Sequence, residues 1–178
     1  MAQAKTGSGK TLAFAIPIAQ ILDEKLREVQ SVIIVPTREL CKQVAEVFMD
    51  LAKYKKLEVV QVYGGVSINR QIDLIQKGSQ IVVATPGRLI DIYKRGHISF
   101  KHVKFVVLDE ADRCLDMGFI PDIEYILLKA MKKIHPRLLL FSATIFREVF
   151  KLAKKFTHGK EIIKIDVSRD RLTVKNCN

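Results

Sequence analysis

Ala4-Lys5-Thr6-Gly7-Ser8-Gly9-Lys10-Thr11 stands almost at the start of the chain and reads as a turn built around phosphate. Gly7 and Gly9 let the backbone bend so that successive N–H groups converge on phosphate oxygens. Lys10 is placed to reach the β and γ phosphates of a nucleoside triphosphate, and the Thr11 hydroxyl can ligate magnesium. A helix starting at the end of the turn adds its positive dipole end. The strict pattern G-x-x-x-x-G-K-[ST] wants glycine where Ala4 stands. On that pattern alone a flexible Gly-Ser turn before a solvated helix remains an alternative, so an independent signal is needed. Such a loop also sits between a strand and a helix. Leu12, Ala13, Ile16, Ala19, Ile21 and Leu22 supply an apolar helix face ahead of the charges Asp23-Glu24-Lys25. Only Met1, Ala2 and Gln3 precede the loop, so the expectation is that its strand is missing and the chain begins late.

The second signal is Phe105-Val106-Val107-Leu108-Asp109-Glu110-Ala111-Asp112, an apolar run of buried-strand type that ends in carboxylates. In phosphoryl-transfer enzymes of the phosphate-loop type, an acidic residue at the end of a neighbouring strand holds magnesium and another group orients the attacking water. Asp109 suits the metal and Glu110 the water. The alternative, an acidic turn capping the next helix, would be preferred for a lone Asp-Glu pair. Beside Lys10 and Thr11 it loses ground, because two independent features now point to one site.

A third element, Ser142-Ala143-Thr144, follows another apolar strand. The ordered series of phosphate loop, Asp109-Glu110-Ala111-Asp112 and Ser142-Ala143-Thr144 resembles the DEAD-box ATP-dependent RNA helicases. Pro36-Thr37-Arg38-Glu39-Leu40, Gly64-Gly65, Thr85-Pro86-Gly87-Arg88 and Asp116-Met117-Gly118-Phe119 match further motifs of that family in order, and together they span nearly the whole chain. Ala4 fits the family's own form of the loop, which resembles A-x-T-G-S-G-K-T. Asp112 separates the chain from neighbouring groups that carry His there. Ile145-Phe146 departs from relatives with proline after the Ser-Ala-Thr motif, a change at helix entry and not in the chemistry.

Composition agrees with this resemblance. The chain has 178 residues, with 30 Lys and Arg against 19 Asp and Glu and a formal net charge of +11; its isoelectric point lies near 9.7. That length suits one domain with a sizeable core. The basic surplus favours polyanionic partners through phosphate contacts and counterion release, although many soluble proteins share it. Lys53-Lys55-Lys56, Lys129-Lys132-Lys133 and Lys151-Lys154-Lys155 read as solvated helix faces or ends. Cys41, Cys114 and Cys177 form no C-x-x-C pair and point to a reducing compartment. His97, His102, His135 and His158 lack the spacing of a zinc site. No apolar run approaches the length of a bilayer span, and no charged-then-apolar leader precedes the phosphate loop. The expectation is a soluble monomer of the cytoplasm or nucleus.

Short apolar runs at 31–35, 58–63, 80–84, 105–108, 138–141 and 161–165 read as strands, with helix-period segments between most of them. The fold class that follows is α/β, with a largely parallel sheet covered by helices on both faces; the resemblance makes it a RecA-like phosphate-loop domain. Thr37, Gly64, Thr85, Asp109 and Ser142 each follow a predicted strand, at the end where such sheets bind ligands. Residues 1–165 are expected to form this domain and 166–178 an extended tail toward an absent second one.

Read singly, the candidate RNA residues are structural. Thr85 and Pro86 make a good helix start, Pro36-Thr37-Arg38 a strand-to-helix turn, and Gly64-Gly65 a site of close approach. The resemblance turns Pro36, Thr37, Arg38, Gly64, Gly65, Thr85, Pro86, Gly87 and Arg88 into a groove for the RNA sugar-phosphate backbone, which positions a strand without reading its sequence. It also implies that Ser142 and Thr144 bond toward Asp112 and couple nucleotide state to RNA; helix capping by both hydroxyls is the plainer alternative. ATP and Mg2+ are the implied cofactors, held by the loop from Ala4 to Thr11 and by Asp109. The family's adenine-reading aromatic and glutamine lie upstream of the loop, and Gln3 does not replace them. A second RecA-like domain would supply arginines. The chain alone is therefore expected to bind nucleotide weakly and hydrolyse it little. Two other readings stay open: a non-enzymatic module that grips RNA or a partner, and a phosphate-loop kinase or transporter-type ATPase.

Overall fold

The apolar runs of the sequence are rich in Val and Ile, whose branched β-carbons suit a pleated backbone. In the computed structural model, which describes residues 1–3, 9–144, 147–157 and 161–166, they become the strands of a single sheet. β1 (Ala2–Gln3) leads to α1 (Lys10–Ile21), β2 (Ser31–Ile34) to α2 (Arg38–Ala52), and β3 (Val59–Val62) to α3 (Ile68–Gln76). β4 (Ile81–Ala84) leads to α4 (Pro86–Lys94), and β5 (Phe105–Leu108) to α5 (Ala111–Asp116) and α6 (Ile120–Glu124), which continues as π-helical turns over Tyr125–Ala130. β6 (Arg137–Ser142), α7 (Arg147–Phe156) and β7 (Ile165–Asp166) complete the order.

Among the described residues all pairings are parallel, and seven strands lie in the order β3-β4-β2-β5-β6-β1-β7. β2, β4 and β5 are buried along their whole length, as strands covered on both faces must be. Side chains alternate between two cores. Ile33, Val83, Val107 and Phe141 pack with α1 and α2, where Phe14 meets Phe141 and Phe48 at centroid distances of 5.0 and 6.1 Å. Val32, Val62, Val82, Val106 and Leu140 pack with the helices of the other face.

Three expectations need correction. A strand does precede the loop: Ala2 pairs with Phe141 on one side and Ile165 on the other. Two residues suffice because both flanking strands offer backbone partners, and the Met1 ammonium and carbonyl add bonds to Ile163 O and Ile165 N at 2.7 and 2.8 Å. The strand expected at 161–165 shrinks to Ile165–Asp166 at the sheet edge, where Ile163 is 73% exposed. Asp166, expected to open the tail, thus belongs to the sheet; 167–178 lie outside the described residues. Finally, α1 buries only part of the face read from its sequence, Ala19 and Leu22. It buries Phe14, Ala15, Ile18, Ala19 and Leu22 and leaves Leu12, Ile16 and Ile21 exposed. The helix is apolar nearly all round, so periodicity cannot choose a face; the aromatic contacts of Phe14 do.

Candidate functional site

Every described candidate residue lies at the carboxyl ends of the strands. The phosphate-loop residues Ala4, Lys5, Thr6, Gly7 and Ser8 lie outside the described residues. Gly9 enters α1 with φ +79°, a left-handed conformation that glycine adopts without strain. Lys10 and Thr11 then form the first turn of a twelve-residue helix with no side-chain cap and no acidic residue in that turn. Its leading N–H groups and dipole remain suited to an anion.

Asp109 follows directly on β5, with its amide donating to Ile34 O at 3.0 Å and its Oδ1 accepting from Glu110 N at 2.9 Å. It is 3% exposed. Burial pushes its carboxyl up to about 6, against the pull of the Glu110 amide and of Lys10, which places Lys10 close enough to act on it electrostatically. Glu110 takes a left-handed backbone (φ +48°, ψ +51°), uncommon for a residue with a side chain. Its side chain does not cap α5, so the capping alternative fails for Glu110. Among the described residues, Glu110 Oε2 meets a long contact from Arg113 Nη1 at 3.4 Å.

Asp112 is the hub. Its Oδ2 accepts from Ala143 N, Thr144 N and Thr144 Oγ1 at 3.1, 3.0 and 3.0 Å, while its own amide donates to Ser142 Oγ at 3.1 Å. Ser142 Oγ donates in turn to Thr144 O at 2.5 Å. Partial burial opposes ionisation of Asp112, yet these donors outweigh it and hold the carboxyl below its ordinary range. Both hydroxyls are thus turned to the Asp109–Asp112 segment. Gln3, which the sequence gave no role, donates from Nε2 to Ala143 O at 3.1 Å and pairs with Ser142 across β1 and β6. Only the three-dimensional register reveals it. Cys114 lies beneath; burial, then the nearby carboxylates, push its thiol up to about 12.

The nucleic-acid candidates gather on the adjacent strands β2, β3 and β4. Thr37 caps α2, its Oγ1 accepting from Leu40 N at 3.2 Å, so the structural reading holds for that hydroxyl. Thr85 opens α4 without a side-chain cap bond, followed by buried Pro86 at the helix start and exposed Gly87. Arg38 lies over the Gly64–Gly65 turn: a Cβ on Gly65 (φ +85°) would fall 2.2 Å from Arg38 Nη1. Arg88 Nη1 donates to Val66 O at 3.1 Å, bringing a second guanidinium to the same turn. Pro36, two residues before the exposed Arg38, is buried and belongs to the turn. Two arginines, two glycines and the uncapped start of α4 therefore form one basic rim beside the acidic cluster.

This combination, an open helix N-terminus with Lys10 and Thr11, a strand-terminal carboxylate and a parallel sheet wound by helices on both faces, defines a nucleotide-phosphate-binding α/β domain. The family described as DEAD/DEAH box helicase matches residues 1–152, and the chain belongs to it. It is 45% identical over 168 residues to a probable ATP-dependent RNA helicase of Methanocaldococcus jannaschii, covering 94% of this chain and 45% of that protein. It is 42% identical over 174 residues to the DEAD-box ATP-dependent RNA helicase CshA of Geobacillus kaustophilus, covering 98% and 36%. Among solved structures, a DEAD box protein from the hyperthermophile Methanococcus jannaschii superposes with a TM-score of 0.85 at 45% identity, covering 93% of this chain and 44% of that one. The yeast DEAD-box splicing factor Prp28 gives 0.81 at 33% identity, covering 87% and 38%. The chain thus spans less than half the length of these relatives. Among the described residues, no helix is long and apolar enough to cross a membrane, and no cluster of three His, Cys, Asp or Glu is set to hold a metal unaided.

Proposed function

We propose that this chain is the ATP-binding core, the first of two RecA-like units, of an ATP-dependent RNA helicase that couples ATP hydrolysis to RNA binding and local duplex opening. One observation carries the proposal: the Asp112 carboxylate gathers Ala143 and Thr144 while Ser142 holds the Asp112 amide. That lattice ties the acidic segment expected at the phosphates to a turn on the next strand, as a coupling device requires.

In this reading the segment from Ala4 to Gly9 wraps the phosphates with backbone N–H groups, and Lys10 neutralises the β and γ oxygens. Thr11 and Asp109 would hold Mg2+. A hydroxyl and a carboxylate are oxygen donors of the kind this hard cation prefers, and a carboxylate whose charge is disfavoured by burial gains from a cationic partner. When bound, magnesium offsets charge on the transferring phosphoryl group. Glu110, held at the lip of β5 by its left-handed backbone, orients the attacking water and accepts its proton. Arg38, Arg88, Gly64, Gly65, Thr85, Pro86 and Gly87, with Pro36 and Thr37 as the supporting turn, line a path for the sugar-phosphate backbone of single-stranded or short duplex RNA. Residues 1–166 act as one unit, with 167–178 leading to the second domain, which supplies the opposing arginines and raises hydrolysis above the low level expected here. We place the protein in the cytoplasm or nucleus, as a monomer.

The test is a titration of the purified chain with fluorescent ATP and ADP analogues and magnesium, with and without single-stranded RNA. Wild type should bind nucleotide in a magnesium-dependent way, Lys10→Ala should lose that binding, and Glu110→Gln should keep it. A folded sample that binds RNA but no nucleotide would replace this proposal with a non-enzymatic module. Unwinding by this chain alone at the rate of a two-domain enzyme would refute the assigned division of labour.

A further inference from the structure

The free edge of the sheet carries a groove that neither the nucleotide nor the RNA reading uses. Among the described residues, β3 has β4 as its one neighbour in the sheet. Ile81 N donates to Glu58 O and Thr85 N to Val62 O, at 3.1 and 2.9 Å. Even-numbered residues therefore bond inward, and the backbone N–H and C=O groups of Val59, Gln61 and Tyr63 face out of the sheet. The Tyr63 carbonyl is already met, since Gln71 Nε2 donates to it at 3.0 Å. Gln71 is only 4% exposed, and the Oε1 of the same amide is buried without a hydrogen-bond partner. Such an orphan costs stability unless a donor arrives.

The groove that Gln71 lines encloses about 420 Å³ between α2 and α3, with Val59 and Gln61 on its floor. Its rim is apolar: Met49, Val66 and Leu74 are 39, 49 and 41% exposed. Arg70 is the one charged residue in its lining, and Lys42 stands over the Tyr63 ring, 5.7 Å from the centroid. Open ladder groups, apolar walls and two positive charges coincide along one strand, with no carboxylate among the described lining residues.

We propose that this edge is a docking site for an extended polypeptide segment that adds as an eighth strand beside β3. The guest carries apolar side chains at alternate positions, which enter the groove, and an Asp or Glu that meets Arg70. Main-chain bonds to Val59 and Gln61 supply affinity, and pockets for alternate side chains supply specificity. Gln71 Nε2 occupies the Tyr63 carbonyl, so the ladder open to the guest ends at Gln61. Val66 lines the groove while its carbonyl holds Arg88. A bound segment thus presses on the turn that carries Gly64 and Gly65. That regulatory consequence rests on the RNA reading above; the docking itself does not.

The experiment uses the full chain and three fluorescein-labelled peptides read by anisotropy. The first is Thr-Val-Glu-Val-Thr-Val-Glu-Thr, the second is the same peptide N-methylated at alternate amides, and the third has Lys for each Glu. Hydrogen exchange at the Val59 and Gln61 amides is followed in parallel. The expected result is saturable binding of the first peptide with slowed exchange at both amides, and at least about tenfold weaker binding of the methylated and Lys-bearing peptides. Arg70→Glu should invert the charge preference; because the peptide-side changes leave the protein untouched, a poorly folding variant does not blunt the test. Equal binding of the methylated twin, or unchanged exchange at Gln61 with no saturation below millimolar peptide, overturns the proposal. Displacement of the peptide by single-stranded oligouridylate that itself protects Gln61 would assign the groove to RNA instead.

Discussion

Replacing Gly65 by Ala tests the basic rim at its tightest point. The φ of +85° leaves an alanine in a region that costs an L-residue about 1–2 kcal/mol. Its Cβ would also fall 2.2, 2.6 and 2.8 Å from Arg38 Nη1, Cζ and Nη2, all distances that force movement. Those atoms are the far end of a flexible side chain, so the guanidinium yields and the backbone does not. The stability loss should therefore stay near the strain alone, lowering the melting temperature by about 3–6 °C for a chain of this size. RNA binding should suffer more, because a displaced Arg38 forfeits a charge-assisted phosphate bond. An affinity loss of about tenfold at low salt is expected, together with a decrease of about 0.7 in the log–log salt slope.

Gly64→Ala is the control. Its φ is not positive, and its Cβ would meet Arg38 Nη2 at 3.8 Å, an ordinary contact. Differential scanning fluorimetry and anisotropy with a labelled oligonucleotide over a salt series read both variants. Equal damage from the two substitutions, or a Gly65→Ala chain with wild-type affinity while Arg38→Gln loses it, would show that close approach to Gly65 does not set the guanidinium.

Asp112→Asn should weaken the acceptor that three donors share, and Thr144→Val should remove one of those donors. A double-mutant cycle by urea denaturation is expected to give a coupling of about 1 kcal/mol, and additive losses would mean the bond contributes nothing to stability. Asp109 keeps its proton more tightly in the folded chain than in the unfolded one, so stability is greatest below about pH 4 for this group and falls as pH rises to about 6. Against wild type without magnesium, Asp109→Asn should remove a decline of up to about 3 kcal/mol across that window, and parallel pH profiles would contradict the shift. Cys41 and Cys114 are buried, and burial pushes both thiols up to about 12. Iodoacetamide at pH 8 followed by mass spectrometry should leave both unmodified until the chain is unfolded; rapid native alkylation of either would refute their burial.

The centre of the fold was legible because burial on both faces writes itself into sequence as uninterrupted Val and Ile. The run at 105–108 matches β5 residue for residue, and those at 31–35 and 80–84 differ from β2 and β4 by one end residue each. Legibility failed at the margins, where partners decide. Two residues before the loop carry no pattern, yet β6 and β7 recruit them. The EIIK segment from Glu161 has strand chemistry but little to pair with. Within the site, residue types announced the phosphate and acidic motifs, whereas the approach of Arg38 to Gly65 and the bond from Gln3 to Ala143 depend on register between strands distant in sequence. One missed feature did leave a trace: Gln71 stands beside Ile72 in α3 near a buried face, and a buried amide there demands partners.

The carboxylate at position 112 follows from the donors around it. Ala143 N, Thr144 N and Thr144 Oγ1 all converge on one oxygen, and each arrives with a hydrogen to give. A histidine offers one acceptor nitrogen at most, and an asparagine that turned its oxygen to this cluster would accept without the charge that strengthens such bonds. An ionised carboxylate, acceptor on every lone pair, is the group that satisfies all three at once, while its second oxygen takes the Arg113 amide at 3.0 Å. Asp109 stands three residues earlier and is bonded through its amide to Ile34 of β2. Two residues beyond Ile34 the chain enters Pro36-Thr37-Arg38. A displacement of the acidic segment therefore has two direct routes, through Asp112 into β6 and through Asp109 into the strand that leads to Arg38. The second route joins the proposed nucleotide and RNA sites through one hydrogen bond and the end of β2, while Asp112 ties the acidic segment to β6, so loss of Asp112 should weaken the proposed coupling, leave the Asp109 route standing, and empty neither site.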